Sequence, residues 1–507
     1  MICVSIAQTS RHLALVDLYN ASARCDLIEI RLDRFEKSPD VNELIKAARK
    51  PVIVSCRRQQ DGGSWHGTEE ARLALLRQAV VEGADYVEIE HDCVNHVKRF
   101  GPTKRIITFT SCDEIPKDLD EKYHHCLGSD PDVIKLTLPA RTPEEAWPFV
   151  KIMAKSDVPT VAVGLGKSGR MLNILGPRLG SPWSYAALEK GLEADSGLLS
   201  VFDLEEAYDI RNIGRKTPLV AVTGNAEEQL ATARILNQAF QIHKSPLRCL
   251  PLEVGSIPLF AKIAKSIRLA GLIVDAKHRE EILEIVTKWS RSCRLAESAD
   301  VIAIREGEWH GFHTLSRAVT ACLAEGIDRS NEGTKSVSGR SVLVIGGSGT
   351  ARAIAATLLD HDARLVMADD DNERAEKIVH ELGGHGRYVA RNQVFSTLSD
   401  GMVICSHDEN PGQPAIDIPI TMARPGLACV DLTSFPQPSG FLKELARFKG
   451  APIEPLEVFL HQMQYIAKLF TGHLPPIDKL RQSLVDFDIE SDPRGDEAED
   501  EYQSIFL

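Results

Sequence analysis

The chain has 507 residues, 43% hydrophobic and 26% charged, with a formal net charge of −13. That composition is ordinary for globular proteins, excludes wholesale disorder, and at this length calls for more than one hydrophobic core. The acidic balance argues against a nucleic-acid partner, and no run of about 18 apolar residues reads as a membrane span. The N-terminal residues lack the basic start of a signal peptide and read directly as a strand. Eleven cysteines without a C-x-x-C pair suit reduced thiols in the cytoplasm rather than a disulfide framework, and no metal site is expected.

In chain order, strands are expected at Ile2–Ala7, Asp26–Asp33, Pro51–Arg57, Asp85–Glu90, Arg105–Ser111, Val133–Leu138 and Pro159–Gly164, with a weaker eighth near Gly180–Ala187. Helical patterns lie between most of them; in Glu69–Gly83, Leu73, Leu76 and Val80 share one face. This α/β rhythm over residues 1–212 fits a (β/α)8 TIM barrel, with a doubly wound open sheet as the alternative. Arg211–Pro218 reads as a linker. A second α/β unit covers residues 217–335, a Rossmann-type unit 336–455, and helices at 456–485 are expected to return to the second unit. Residues 486–507 form an acidic tail that reads as disordered.

In Leu27-Ile-Glu-Ile-Arg-Leu-Asp33, the charges Glu29, Arg31 and Asp33 alternate with apolar residues, so all three share one strand face. Both faces of a parallel barrel strand are covered, so such a face must line the barrel mouth, where active sites lie. Glu88 and Glu90 repeat the pattern, and Arg57 ends a third strand before the Gln59–Ser64 loop. Lys135 stands alone in the apolar run Val133–Leu138. Burial would lower its pKa and free the amine to attack a carbonyl; a head group reaching solvent is the bland alternative.

These motifs together (Glu29-x-Arg31-x-Asp33, Arg57 with Asp61-Gly-Gly63, Glu88-x-Glu90, Asp132–Lys135 and Leu179-Gly-Ser181) resemble type I 3-dehydroquinate dehydratase in order and spacing. The resemblance implies a Schiff base on Lys135 and proton transfer assisted by Glu90. It implies that Glu29, Arg31 and Arg57 hold the substrate's polar groups. The family's general acid/base histidine aligns with Cys112, a thiol with an ordinary pKa of about 8.5 and a poorer base than imidazole. The family's carboxylate-holding arginine aligns with Asn173, with Arg170 nearby as a substitute. Its Ala-Pro-Gly-Gln lid aligns with Asp195–Leu198.

In the second half, Ser341–Ala355 reads as strand, Gly-rich turn and helix. Gly346, Gly347 and Gly349 would let backbone N–H groups approach a diphosphate. Asp369, Asp370 and Asp371 end the next strand, where a ribose-binding acid belongs; they favour NAD and repel the 2′-phosphate of NADP. Residues 217–483 resemble shikimate dehydrogenase through Val222–Asn225, Asn237, Gly346–Ala353, Val430-Asp-Leu432, Pro436 and Gln462, and that family implies NADP. By alignment, Thr232, Asn237 and Gln462 would contact substrate. The catalytic lysine is replaced by Arg279 and its carboxylate partner by Leu315. Arginine does not release its proton in practice and leucine has none to exchange.

The resemblance therefore implies a bifunctional shikimate-pathway enzyme acting on small molecules, 3-dehydroquinate and then 3-dehydroshikimate, with no cofactor in the dehydratase half. The alternative is a dehydratase alone, or a degenerate protein whose second half is a nucleotide-binding or assembly module. Homo-oligomerisation stays open. His124 and His125 beside Cys126 read as a surface feature rather than a metal site, and Trp147, Trp183, Trp289 and Trp309 as packing residues.

Overall fold

The structure, a computed structural model, describes residues 1–166, 168–195, 197–224, 226–331, 335–383, 386–407 and 412–485. Asn225, the centre of the Asn331–Gly339 connection, Ser196 in the lid segment and the acidic tail lie outside the described residues. The chain forms two compact units. One comprises Met1–Trp289 with Ala299–Gly311, the other Ser290–Ser298 with the chain from Phe312 onward.

The first unit opens with eight strands, β1 (Ile2–Ile6), β2 (Leu27–Arg31), β3 (Val52–Ser55), β4 (Tyr86–Glu90), β5 (Lys104–Thr110), β6 (Val133–Pro139), β7 (Thr160–Leu165) and β8 (Ser184–Ala186). They pair in parallel in the order β7-β6-β5-β4-β3-β2-β1-β8. Each strand lies beside its neighbour in sequence and β1 pairs with β8, so the sheet curls into a nearly closed barrel. A doubly wound sheet would instead reverse its strand order part-way. The crossover helices are α1 (Arg11–Ser22), α2 (Val41–Ala47), α3 (Glu69–Val81), α4 (Leu119–Leu127), α5 (Pro143–Lys155) and α6 (Gly169–Leu179). Four of them start where the sequence supplies a capping oxygen: Ser10, Asp40, Thr68 and Thr142 each accept a first-turn backbone N–H. Inside the barrel, Cys3, Leu27, Ile53, Ile106, Val133, Val161 and Trp183 form an apolar floor.

Arg211, in the expected linker, is tied back to the barrel by ion pairs to Asp26 and Glu205. A second sheet follows, built from β9 (Leu219–Val222), β10 (Arg248–Pro251), β11 (Leu269–Ile273), β12 (Lys288–Trp289), β13 (Val301–Arg305) and β14 (Glu308–Phe312), in the order β10-β9-β11-β13-β14-β12. Its helices are α7 (Ala226–Ile242) and α8 (Ile257–Ile267). Barrel and sheet are joined by the Arg248–Asp209 ion pair at 2.7 Å and by the Ser256 N–H donating to Glu144 at 3.0 Å.

The second unit holds α9 (Arg291–Ala296), α10 (Leu315–Asn331) and strands β15 (Ser341–Ile345), β16 (Arg364–Ala368), β17 (Arg387–Tyr388), β18 (Gly401–Ile404), β19 (Ala428–Asp431) and β20 (Ala451–Ile453). The ladder runs β17-β16-β15-β18-β19-β20, all parallel, the strand order of a Rossmann fold counted from β15. Val342 and Val344 enter one core, Leu343 and Ile345 the other, which is why this strand reads as a continuous apolar run. Its remaining helices are α11 (Gly349–Asp360), α12 (Asn372–Leu382), α13 (Gly440–Arg447), α14 (Pro455–Thr471) and α15 (Ile477–Val485). Gly472, with φ +79°, ends α14 and breaks the expected single helical stretch. α14 packs on α10. Among the described residues no helix is long and apolar enough to cross a membrane.

Candidate active sites

The barrel's charges come together because its strands are tilted. In the hydrogen-bond register Glu29 faces Ile53, and Glu90 faces Thr108, which faces Lys135. A shear of about eight offsets residues of equal height by about one position per strand. Two strands from Lys135 the level residue is therefore Glu88, and two further on it is Glu29. The same offset across β1 and β8 adds Tyr185. These four, one from each even-numbered strand, form a layer above the apolar floor. Lys135 is fully buried, and its Nζ lies 2.9 Å from Glu88 Oε2, 3.4 Å from Glu29 Oε1 and 4.4 Å from the Tyr185 ring centre. The expected apolar surroundings of this amine are corrected: two carboxylates hold it.

Arg57 donates to Glu29 at 3.0 Å, and Arg31 binds Asp33 through two hydrogen bonds of 3.0 and 2.8 Å. Ser5 and Ser55 also donate to Glu29. Burial works against the charge of Glu29, but Lys135, Arg57 and Arg31 hold its carboxyl well below the usual range; Asp33 and Asp195 are lowered by neighbouring arginines in the same way. Arg57 Nε and Glu88 Oε1 pair with each other at 3.3 Å, whereas Arg31 Nη1 and the Tyr185 hydroxyl are buried without a hydrogen-bond partner. Such groups are costly unless a ligand satisfies them.

Glu90 is held by a different cation. Both of its oxygens are taken by Arg72 Nη1 at 2.8 and 2.9 Å, and Arg72 also reaches the Cys56 carbonyl and Glu69. Burial pushes the Glu90 carboxyl up to about 7 against the pull of Arg72. Cys112 follows β5 and stands beside the glycine loop, its Sγ 3.2 Å from where a side chain on Gly62 would begin. Burial, with Asp113, Asp61 and Asp195, raises its thiol pKa further.

These shifts predict an acid profile for the fold. Glu29, Asp33 and Asp195 add stability above the ordinary carboxylate range of about 4 and lose it as pH falls through their lower folded values. Glu90 acts in the opposite sense, since the folded state binds its proton first, so its contribution grows from pH 7 downward. A melting temperature that holds or rises from pH 7 to about 5 and then drops below about 4 is expected. A steady fall between pH 7 and 5 would contradict this balance.

Several expected site residues are used elsewhere. Asn173, at the family's arginine position, bridges the backbone N–H and carbonyl of Tyr185 and so fixes β8. Arg170 begins α6, makes no ion pair among the described residues, and keeps a buried Nε without a partner. Asn237 is corrected from substrate contact to structural bridge: its amide donates to the carbonyls of Ala207 and Cys249 and accepts the Cys249 N–H at 2.7 Å. Thr232 is buried on the same helix, α7. Arg279 lies with Nε 3.4 Å from the Val274 carbonyl. Next to it, His278 Nδ1 is 2.7 Å from Asp275, which accepts from Thr223, at the C-terminal ends of β9 and β11. Sequence reasoning passed over this Thr223–Asp275–His278 chain because only the folded sheet brings Thr223 to Asp275. Gln462 lies on α14 and Leu315 opens α10, both in the second unit.

The Gly-rich turn has the shape a dinucleotide needs. Gly346 has φ +126°, and a side chain on Gly347 would collide with Arg374 and Asp369. Ser348 caps α11, which Gly349 begins. Asp369 is buried, with one oxygen paired to Arg374 and the other, Oδ1, without a hydrogen-bond partner. Desolvation raises its pKa. Asp370 pairs with Arg374 at 2.8 Å and His407 at 3.1 Å. Asp371 is corrected from ribose reader to helix cap, accepting the N–H groups of Glu373 and Arg374 at the start of α12. An orphaned buried acceptor at the end of β16, beside a turn that excludes side chains, fits the ribose and diphosphate of a dinucleotide. Among the described residues no cluster of metal-binding side chains occurs.

A parallel barrel holding a buried lysine between carboxylates and arginines can present an amine and charged partners to a polar carbonyl compound. Residues 2–215 match the family model of type I 3-dehydroquinase. Along 495 residues the chain is 24% identical to the chloroplastic bifunctional 3-dehydroquinate dehydratase/shikimate dehydrogenase of Arabidopsis thaliana, covering 93% of this chain and 82% of that protein. It is 22% identical over 498 residues to the shikimate biosynthesis protein AroDE of Chlamydia pneumoniae, covering 96% and 99%. Its similarity to a shikimate dehydrogenase (NADP(+)) of Methylocella silvestris is 26% over 239 residues, covering 46% and 83%.

Proposed function

We propose that the chain catalyses two steps of the shikimate pathway, dehydration of 3-dehydroquinate in the barrel and dinucleotide-dependent reduction of 3-dehydroshikimate in the second half. The contact that carries the first step is Lys135 Nζ at 2.9 Å from Glu88. Glu88 takes a proton from the ammonium, and the free amine attacks the ketone carbon. Loss of the carbonyl oxygen as water leaves an iminium on Lys135. That cation draws electrons from the adjacent C–H bond; its proton passes to the thiolate form of Cys112, which returns it to the β-hydroxyl as that group leaves as a second water. Hydrolysis restores the lysine. Arg31 and Arg57 bind the substrate's polar groups, and the ring of Tyr185 stabilises the iminium charge. Intact-mass analysis after borohydride reduction with 3-dehydroquinate, followed by peptide mapping, is expected to find the adduct on Lys135. A folded protein that yields none, beside a competent homologue that is trapped, would sink this reading.

For the second step, a nicotinamide dinucleotide would supply the hydride. Gly346, Gly347 and Gly349 would admit its diphosphate. Asp369 Oδ1 would accept a ribose hydroxyl, which would favour NAD over NADP. The guanidinium of Arg279 does not give up a proton. Shikimate oxidation is expected to run faster with NAD than with NADP, and the reverse order would exclude this role of Asp369. The reduced thiols of all eleven cysteines suit the cytoplasm.

A further inference from the structure

The arginines at the barrel mouth already hold a carboxylate. Asp195, on the segment after β8, places both oxygens 3.3 Å from Arg57 Nη1 and lies 3.9 Å from Arg31 Nη1. Its side chain is 13% exposed against 4% for Arg57 and none for Arg31, so the contact lies at the rim of the cage and is largely shielded from water. Arg31 Nη1 is buried without a hydrogen-bond partner, while Arg57 Nε faces Glu88 Oε1 at 3.3 Å. With Asp195 in place, the carboxylates of Glu29, Asp33, Glu88 and Asp195 balance the cations Arg31, Arg34, Arg57 and Lys135, leaving no net positive charge for an incoming anion. Asn173 adds no cation, since its amide is spent on the Tyr185 backbone.

We infer that Asp195 is a specificity-determining residue: an internal carboxylate that occupies the Arg31–Arg57 pair and competes with the carboxylate of an incoming keto acid. The inference rests on the proposed reading of the barrel as a site for such an acid. A substrate carboxylate must displace Asp195 before it reaches the guanidinium groups, so its apparent affinity is reduced by the fraction of molecules in which the pair is occupied. An uncharged carbonyl compound of the same shape does not need that exchange. Asp195 therefore narrows the preference for acid over ester. Removing the carboxylate leaves Arg57 on Glu29 and Arg31 on Asp33, so the strands keep their ion pairs.

The test compares the full-length protein with Asp195→Asn, and with Asp195→Ser as a second variant should the first misfold. Calorimetry with quinate, a cyclohexane polyol carboxylate without the ketone, reads the arginine pair apart from imine chemistry. Borohydride trapping with 3-dehydroquinate and with its methyl ester reads the reacting site. Quinate affinity is expected to rise about tenfold in the variants. The acid-to-ester ratio for half-maximal trapping should shift toward the acid by a similar factor. Unchanged quinate affinity, or no quinate binding by either protein, would overturn the inference whether or not the enzyme is active. Tighter quinate binding without any imine would leave the role of Asp195 standing and remove the dehydratase reading instead.

Discussion

Lys135→Ala is expected to yield no borohydride adduct and to lower dehydratase turnover on the order of 10⁴-fold or more. No other lysine contacts the layer formed by Glu29, Glu88 and Tyr185 among the described residues. The substitution also leaves Glu29 with Arg57 alone as its close buried cation and takes from Glu88 its 2.9 Å partner. A loss of about 3–5 kcal/mol in unfolding free energy is expected from stranding buried charge in this way. Lys135→Met, which refills most of the volume, separates packing from charge. Residual turnover in a folded variant, measured by the appearance of the conjugated enone, would show that the barrel dehydrates without an imine.

The second large effect is a gain. Cys112 stands where the family places a histidine, and its thiol, raised by burial and by Asp113, Asp61 and Asp195, keeps its proton at neutral pH. A base that is protonated at working pH abstracts slowly. Cys112→His is expected to raise kcat about a hundredfold, because positioned acid–base catalysis contributes roughly 10²–10⁴-fold. An unchanged rate, with the adduct still forming on Lys135, would mean that the proton moves through another group, and the unpartnered Tyr185 hydroxyl would be the first to examine.

Much of the architecture was readable from periodicity. Alternation in Leu27–Asp33 and Tyr86–Glu90 marks strands with one charged face, and β15 and β16 fall where the apolar runs Ser341–Ile345 and Arg364–Ala368 place them. Period two is a local property of the backbone, so it survives in the sequence. The helical stretch from 456 shows the limit, since Gly472 and the prolines at 475 and 476 divide it into α14 and α15.

The sequence by itself determined which residue types face the barrel mouth and that a lone lysine lies among them. It did not determine which carboxylate meets that lysine. Glu88 and Glu90 share a face and a charge, and the strand register places Glu90 opposite Thr108 and Lys135. The tilt of the closed barrel lifts Glu88 to the height of Nζ and leaves Glu90 to Arg72, a residue of α3 that no strand pattern points to. Likewise Asn237 carries a family position but spends its amide on Cys249 and Ala207, and Asp195 reaches Arg57 across 138 positions of chain. Those partnerships depend on strand tilt and long-range chain closure, which are set by the whole barrel and the sheet beside it rather than by any local stretch of residues.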